Sequence, residues 1–150
     1  FGSISFGSEN IEDPDILAAG IGSAIPFGNI EYSIFANIHW LSAEVARQGT
    51  MRLLTNTGIF GGLSAGAAYT VGQYLSESDS SNLTLFVCPD MGYRYAHILE
   101  GTQISSHIVR APRWIATLDE LAPPWCAMEW NGTPFTPTPT STHKKDDTNG

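Results

Sequence analysis

The hydrophobic pattern of the chain begins with apolar residues at helical spacing, Ile30, Ile34, Phe35 and Ile38. This spacing predicts a helical stretch, because apolar residues three or four positions apart share one helix face. The apolar run at 38–41 then predicts a short strand that ends before the next polar residue.

Two longer helices are predicted after this strand. Ser42 has the side chain of an N-cap, and helical spacing continues to residues 56–58, where Gly58 is suited to end the helix. A second helix is predicted from Ser64 to about Ser76, with its apolar residues on one face. A polar loop separates it from the next apolar segment.

Residues 83–88, Leu-Thr-Leu-Phe-Val-Cys, form the strongest predicted strand of the sequence. They are mostly apolar and bounded by turn formers, as in a strand that is buried on both faces, so Cys88 is expected to be a buried, inert thiol. Helices that alternate with short apolar strands predict an α/β fold with an open, mostly parallel sheet flanked by helices.

Composition restricts the classes of partner. The chain has 150 residues, is 42% hydrophobic and carries a net charge of -8, which suggests one globular unit and argues against a nucleic-acid or anionic-membrane partner. Its two cysteines match neither a disulfide framework nor a zinc site, so no metal is expected. Without a signal peptide or a membrane-spanning run, the sequence predicts a cytoplasmic location.

The candidate chemistry lies in three turns. A glycine-rich turn that contains Gly61 and Gly62 runs directly into the second predicted helix, where Ser64 can cap the helix or face a ligand. A second small-residue turn lies at 20–24, and a third, at 89–95, follows the predicted strand. Open α/β sheets bind ligands at the carboxyl ends of their strands, so the three turns are expected to line one crevice.

In this order the turns resemble three motifs of the pyridoxal-phosphate enzymes of the cysteine synthase and cystathionine β-synthase family, fold type II. The matching stretches are Gly20-Ile21-Gly22 before Pro26, Gly62-Leu63-Ser64-Ala65-Gly66-Ala67-Ala68, and Pro89-Asp90-Met91-Gly92-Tyr93-Arg94-Tyr95. The resemblance covers about residues 1–96 and implies the second half of that family's large domain, a partial catalytic domain. Residues 97–130 are expected to be a packing segment unlike the family, and 131–150 a flexible tail rich in Thr and Pro.

The resemblance also implies roles for individual residues. Ser64 would hydrogen-bond the pyridine nitrogen of pyridoxal 5'-phosphate, with Gly62, Gly20 and Asp90 also at the cofactor. The implied substrate side consists of Gly20, Ile21, Gly22, Ser23 and Tyr93, although a turn-stabilising role is equally expected for Asp90 and Tyr93. The implied reaction is β-elimination or β-replacement on an O-activated serine, as in cysteine synthases or in synthases of 2,3-diaminopropionate and other specialised amino acids; the nucleophile stays open.

The lysine content departs from the family. Its enzymes need a lysine that forms a Schiff base with the cofactor, and this chain has only Lys144 and Lys145, both in the tail. The family's phosphate-binding and carboxylate-binding loops are not found either. We therefore expect the chain, which starts at Phe1 within a strand, to be inactive alone. Its expected partner is the N-terminal half of the catalytic domain, as a second chain or a missing segment, within a homodimer that acts on an amino acid.

Two other classes of function stay open. One is a non-catalytic interaction or regulatory subunit that uses Trp114, Trp125 and Trp130 as an apolar docking surface. The other is a generic nucleotide- or phosphate-binding module that uses the Gly61-Gly62 turn.

Overall fold

A computed structural model of the chain describes residues 28–105 and 109–130. These residues form a mixed helix and strand fold with a small open sheet, consistent with the α/β class. The helices are α1 (Ala43–Thr57), α2 (Leu63–Ser78) and α3 (Ala96–Leu99), and the strands are β1 (Asn37–Leu41), β2 (Arg113–Trp114) and β3 (Trp125–Glu129). Short 3-10 turns occur at Tyr32–Ile34, Gly92–Tyr95 and Leu118–Glu120.

Helix α1 begins and ends where local chemistry predicts. The Ser42 hydroxyl accepts a hydrogen bond from the Val45 amide at 3.3 Å, which confirms the predicted N-cap. At the other end Gly58 adopts a left-handed φ of 77°, and its amide donates to the Leu54 carbonyl at 2.8 Å. Strand β1 is also confirmed, and α2 extends the predicted second helix to Ser78.

The helical stretch predicted from Ile30 to Ile38 is wrong. Only Tyr32–Ile34 form a short 3-10 turn, and β1 begins at Asn37. The reason is non-local: the Trp130 indole donates to the Tyr32 carbonyl at 2.6 Å, and the Trp130 amide donates to the Ala36 carbonyl at 2.8 Å. These bonds hold the segment in register with the end of β3.

Helices α1 and α2 pack with their backbones in contact. A Cβ atom on Gly49 would lie 2.1 Å from the Gly66 carbonyl oxygen, and one on Gly66 would lie 2.3 Å from the Ala46 carbonyl oxygen. Only glycine permits this approach, because a methyl group at either position would overlap a main-chain oxygen. The close crossing fixes where the first turn of α2 lies relative to α1.

The sheet is mixed, whereas a mostly parallel sheet was expected. Its strand order is β1-β3-β2, with β1 antiparallel to β3 and β2 parallel to β3. Leu41 pairs with Trp125 in the antiparallel register, so the segment after residue 96 is joined to the body. The main core contains residues from both sides of residue 96: Leu41, Val45, Ala46, Leu63, Ala67, Tyr95, Leu99 and Trp125.

The strand predicted at 83–88 does not form in the described chain. Leu83 and Leu85 are 97% and 90% exposed, and Cys88 is exposed instead of buried. The prediction was wrong because an apolar run becomes a buried strand only when other strands flank it, and none lies beside these residues in the described part of the structure.

Candidate functional site

The glycine turn before α2 and the turn at 89–95 lie side by side. The Gly62 amide donates to the Asp90 carbonyl at 3.0 Å, and the Gly92 amide donates to the Phe60 carbonyl at 2.9 Å. Gly61 and Met91 form an antiparallel bridge between these two bonds. We call this pair of turns, residues 60–64 and 90–95, the junction site.

Ser64 and Asp90 meet in the junction site. The Ser64 hydroxyl donates to Asp90 Oδ1 at 3.2 Å, and both side chains are half-buried. Gly62, the N-cap residue of α2, has no side chain to cap the helix, and the Asp90 carboxylate lies against it. A Cβ on Gly62 would lie 2.2 Å from Asp90 Oδ1, so this glycine leaves the space that the carboxylate occupies. The structure thus brings together three of the predicted cofactor-side residues.

Thr50 supports the site from α1 and was missed in the sequence. It is fully buried, and its hydroxyl donates to the Gly62 carbonyl at 3.0 Å. A Cβ on Gly66 would lie 2.3 Å from the same hydroxyl oxygen. The Thr50 side chain therefore packs directly against the backbone of the first turn of α2, between Gly62 and Gly66. Helical spacing places Thr50 on the same buried face as Ala46 and Leu53. A hydroxyl on a buried helix face needs a hydrogen-bond partner, and this is the signal by which the sequence could have identified Thr50.

Tyr95 was also missed. Its ring is buried in the main core, and it hydrogen-bonds Asp90. Burial raises the pKa of Tyr95, and the Asp90 hydrogen bond and charge raise it further, although Arg94 acts in the opposite direction. A protonated Tyr95 is therefore a second hydroxyl partner for the Asp90 carboxylate.

The other predicted residues do not join this cluster in the described structure. The Tyr93 ring is 72% exposed and packs edge-on against Phe60, with ring centroids 5.1 Å apart. Gly20, Ile21, Gly22 and Ser23 lie outside the described residues. The structure thus joins two of the three turns expected to line one crevice.

Asp90 determines which ligands the helix terminus can accept. The N-terminus of α2 has a partial positive charge, and the Asp90 carboxylate lies against its N-cap residue. A phosphate at the same place would meet a carboxylate, so the geometry argues against the generic phosphate-binding hypothesis. A serine hydroxyl has one proton, and because Ser64 donates it to Asp90, two lone pairs stay free to accept a hydrogen bond.

These residues fit only one end of a pyridoxal-phosphate site. The half-buried Ser64 hydroxyl can meet a ring nitrogen, since it can accept from an N–H or turn its own proton toward an unprotonated nitrogen. The described residues contain no lysine; Lys144 and Lys145, the two lysines of the chain, lie outside them. The described residues therefore provide no lysine for a Schiff base.

Two cavities lie away from the junction site. One, of about 150 Å³, is lined by polar and apolar residues that include Glu44, Gln48 and Arg52 of α1. The other, of about 360 Å³, runs between the end of α2 and the segment that contains Leu83 and Phe86. Across the described ranges, no group of three or more His, Cys, Asp or Glu side chains could hold a metal ion.

Comparisons with known proteins add no assignment: no family model, curated protein or solved structure matches the chain. None of the helices at 28–105 and 109–130 has the length and apolar character needed to cross a membrane. A functional assignment therefore depends on the geometry of the junction site and on the motifs that form it.

Proposed function

We propose that the junction site is the ring end of a pyridoxal 5'-phosphate site, in an enzyme that catalyses β-elimination or β-replacement on an O-activated serine. The observation that carries this proposal is the Ser64–Asp90 hydrogen bond at the first turn of α2. The motifs at 62–68 and 89–95 both resemble the same enzyme family, and they meet at Ser64 and Asp90. These are two of the residues that the resemblance places at the cofactor, so their contact supports the proposal.

Ser64 would hold the ring nitrogen, and Asp90 would position Ser64. When bound, the cofactor withdraws electrons from the substrate's reacting carbon. In the free site the Ser64 proton is held by Asp90, and to bind an unprotonated ring nitrogen Ser64 would turn that proton toward the nitrogen. A neutral hydroxyl does not hold the ring nitrogen protonated as a carboxylate does, so Ser64 would favour loss and replacement of a β-substituent over reactions that need a long-lived carbanion. Thr50 fixes the Gly62 carbonyl and thereby the start of the helix that carries Ser64.

Other parts of the proposed enzyme would lie outside this chain's described residues. The lysine and the phosphate loop would come from the N-terminal half of the catalytic domain, as a second chain or a missing segment, and the isolated chain would be inactive. The complete enzyme would have the open, mostly parallel sheet of fold type II in addition to the mixed three-stranded sheet of the described residues, and would act as a homodimer on an amino acid. Sulfide and amine nucleophiles are both compatible with the junction site.

A matched pair of serine substitutions in the complete native enzyme tests this proposal. Ser64→Ala removes the ring-nitrogen contact, which costs roughly 1–1.5 kcal/mol and weakens cofactor binding about fivefold to tenfold. Ser78→Ala is the control, because the exposed Ser78 hydroxyl at the far end of α2 donates only to the Tyr74 carbonyl. Cofactor affinity and visible absorption should change in Ser64→Ala alone, and equal behaviour of the two variants would contradict the proposal.

A non-catalytic interaction subunit is the second candidate, but its proposed surface needs correction. Trp125 and Trp130 are buried in the body, so they do not form a docking surface, and only Trp114 is partly exposed, at 45%. The exposed apolar residues Leu83 and Leu85 favour a binding role instead. A native complex that contains this chain but no cofactor absorption would support the second candidate over the enzyme.

A further inference from the structure

The six residues 83–88, called here the edge segment, lead from the end of α2 to the junction site. Their exposure alternates, with Thr84 and Phe86 half-buried between exposed neighbours. A Cβ on Gly72 of α2 would lie 3.6 Å from Thr84 Cγ2 and 3.7 Å from Phe86 Cδ1. Thr84 and Phe86 are two positions apart, and both face Gly72. Alternate residues share one face only in an extended chain, so the side chains of the edge segment are arranged as in a β-strand.

The outer face of the edge segment is apolar and uncovered. Leu83, Leu85 and Val87 are 97%, 90% and 71% exposed. No charged residue occurs from position 80 to 89. Charged side chains on exposed edge strands discourage pairing with another chain, and this run has none. Within the described chain, the backbone of 83–88 makes no hydrogen bond to another segment. An extended segment with these properties is a template for an added strand.

We propose that the edge segment is a docking strand for the polypeptide that completes the catalytic domain. That polypeptide would add a β-strand along 83–88, and a further apolar part of it would pack over Leu83, Leu85 and Val87. Main-chain hydrogen bonds would supply affinity, and the alternating side chains would set the register.

Charge and symmetry disfavour a second copy of this chain as the occupant. Two copies would each carry a net charge of -8, and antiparallel pairing centred on Leu85 would bring Asp90 of one copy beside the loop that follows Asp79 of the other. Such a pair would also place both sets of exposed apolar side chains on a common face without covering them. A different polypeptide with an apolar strand and few acidic residues fits better.

The location of the edge segment connects docking to chemistry. Residue 88 is followed by Pro89 and then Asp90, which bonds Ser64, so a strand added along 83–88 would have one end beside the junction site. A lysine supplied near that end could reach the ring end of the site. This inference rests on the proposed function for the identity of the partner.

Alkylation of Cys88 by iodoacetamide reports whether the edge segment is covered. Cys88 is exposed at its end, whereas Cys126 is buried and serves as the internal control. The native species that contains this chain is purified without denaturation and compared with the isolated chain. We expect Cys88 alkylation to be at least about tenfold slower in the native species, with amide exchange at 83–88 slowed in parallel.

Two substitutions to lysine, at positions whose native side chains are equally exposed, test whether the edge segment is the docking surface. Val87 and Ile34 are both 71% exposed, and neither belongs to a core cluster of the described chain. Val87→Lys should release the partner and restore fast Cys88 alkylation, whereas Ile34→Lys should leave the native species intact. Unchanged thermal unfolding of both isolated variants shows that neither substitution acts through misfolding.

Each remaining result overturns the inference. Equally fast Cys88 alkylation in the native species and the isolated chain means that the edge segment is not covered. Protection that appears in the isolated chain as its concentration rises means that a second copy is the occupant. Cofactor absorption separates this test from the proposed function: protection without absorption contradicts the enzyme and the identity of the partner but not strand docking, and absorption without protection contradicts only the docking strand.

Discussion

The Ser64 hydroxyl lies 3.2 Å from Asp90 Oδ1 and donates a hydrogen bond to it, although the two residues are 26 positions apart. This bond joins the first turn of α2 to the turn that follows the edge segment. Around it, the Gly62 amide and the Tyr95 side chain bond the same aspartate through its carbonyl and its carboxylate. Asp90 is therefore the residue on which the junction site is assembled.

Gly62→Ala should disturb this assembly at moderate cost. The added methyl group would lie 2.2 Å from Asp90 Oδ1, but a carboxylate can rotate away, so the main loss is the Ser64–Asp90 bond. We expect a loss of about 1 kcal/mol in unfolding free energy, measured by urea denaturation. Gly28→Ala, with no atom within 4 Å of the new methyl group, is the control. Equal stability of the two variants would show that Asp90 does not lie against Gly62.

Gly66→Ala should cost more, because its methyl group would meet main-chain atoms. The Ala46 carbonyl oxygen would be 2.3 Å away and cannot rotate aside, so α1 and α2 must separate. We expect destabilisation of roughly 3 kcal/mol, larger than that of Gly62→Ala. The same urea series measures both. A Gly66→Ala variant as stable as the Gly28→Ala control would exclude the close helix crossing.

Thr50→Val tests the support of the junction site from α1. Valine keeps the shape of threonine but removes the hydrogen bond from Thr50 to the Gly62 carbonyl, which still accepts from the Gly66 amide, so the loss is about 0.5–1.5 kcal/mol. Thr55→Val on the same helix is the control, since the exposed Thr55 hydroxyl bonds only its own helix at the Met51 carbonyl. Thermal unfolding should separate the two variants, and similar midpoints would place the Thr50 hydroxyl elsewhere.

Stability should fall in mild acid through His39. Burial lowers the pKa of His39 from 6.5 to about 4, and its Nδ1 accepts a hydrogen bond from the Trp125 indole at 3.2 Å, which needs the neutral ring. Below pH 6.5 the unfolded chain binds a proton that the folded chain excludes, so stability is complete above pH 6.5 and declines toward pH 4. Allowing for partial exposure, the loss is roughly 2 kcal/mol.

A pH series of urea denaturation measures this loss. His39→Gln keeps an acceptor oxygen for the Trp125 indole but does not titrate, so its stability should change less over the same interval. Parallel curves for the two proteins between pH 6.5 and 4 would show that His39 is not the group responsible.

Local chemistry was sufficient to predict α1 and α2 but not the segment at 30–38. A serine that caps α1, a glycine that ends it and helical spacing between them all act within a few residues, so their effect is visible in sequence. The proximity of Ser64 and Asp90 was also predicted. That prediction came from the order of the three turns along the chain and their resemblance to family motifs, and not from helical or strand periodicity. The supporting hydroxyls of Thr50 and Tyr95 were missed because their partners are set by tertiary packing.

The sheet could not be predicted in the same way. The β1–β3 pair joins Leu41 to Trp125 across the whole described chain, and no local pattern encodes that register. The edge segment has the composition of a buried strand but no neighbouring strand in the described structure, because burial of a strand depends on what flanks it. Trp125 and Trp130 were assigned to a surface for the same reason, as their covering residues are distant in sequence.

The most direct test of the central claim is an absorption spectrum and intact mass of the native species that contains this chain, recorded for the unaltered protein and for Ser64→Ala. The proposed function predicts additional polypeptide with a bound cofactor that absorbs near the edge of the visible range, and a weaker or shifted band in Ser64→Ala. A colourless species of 16.2 kDa alone, unchanged by the substitution, would contradict it.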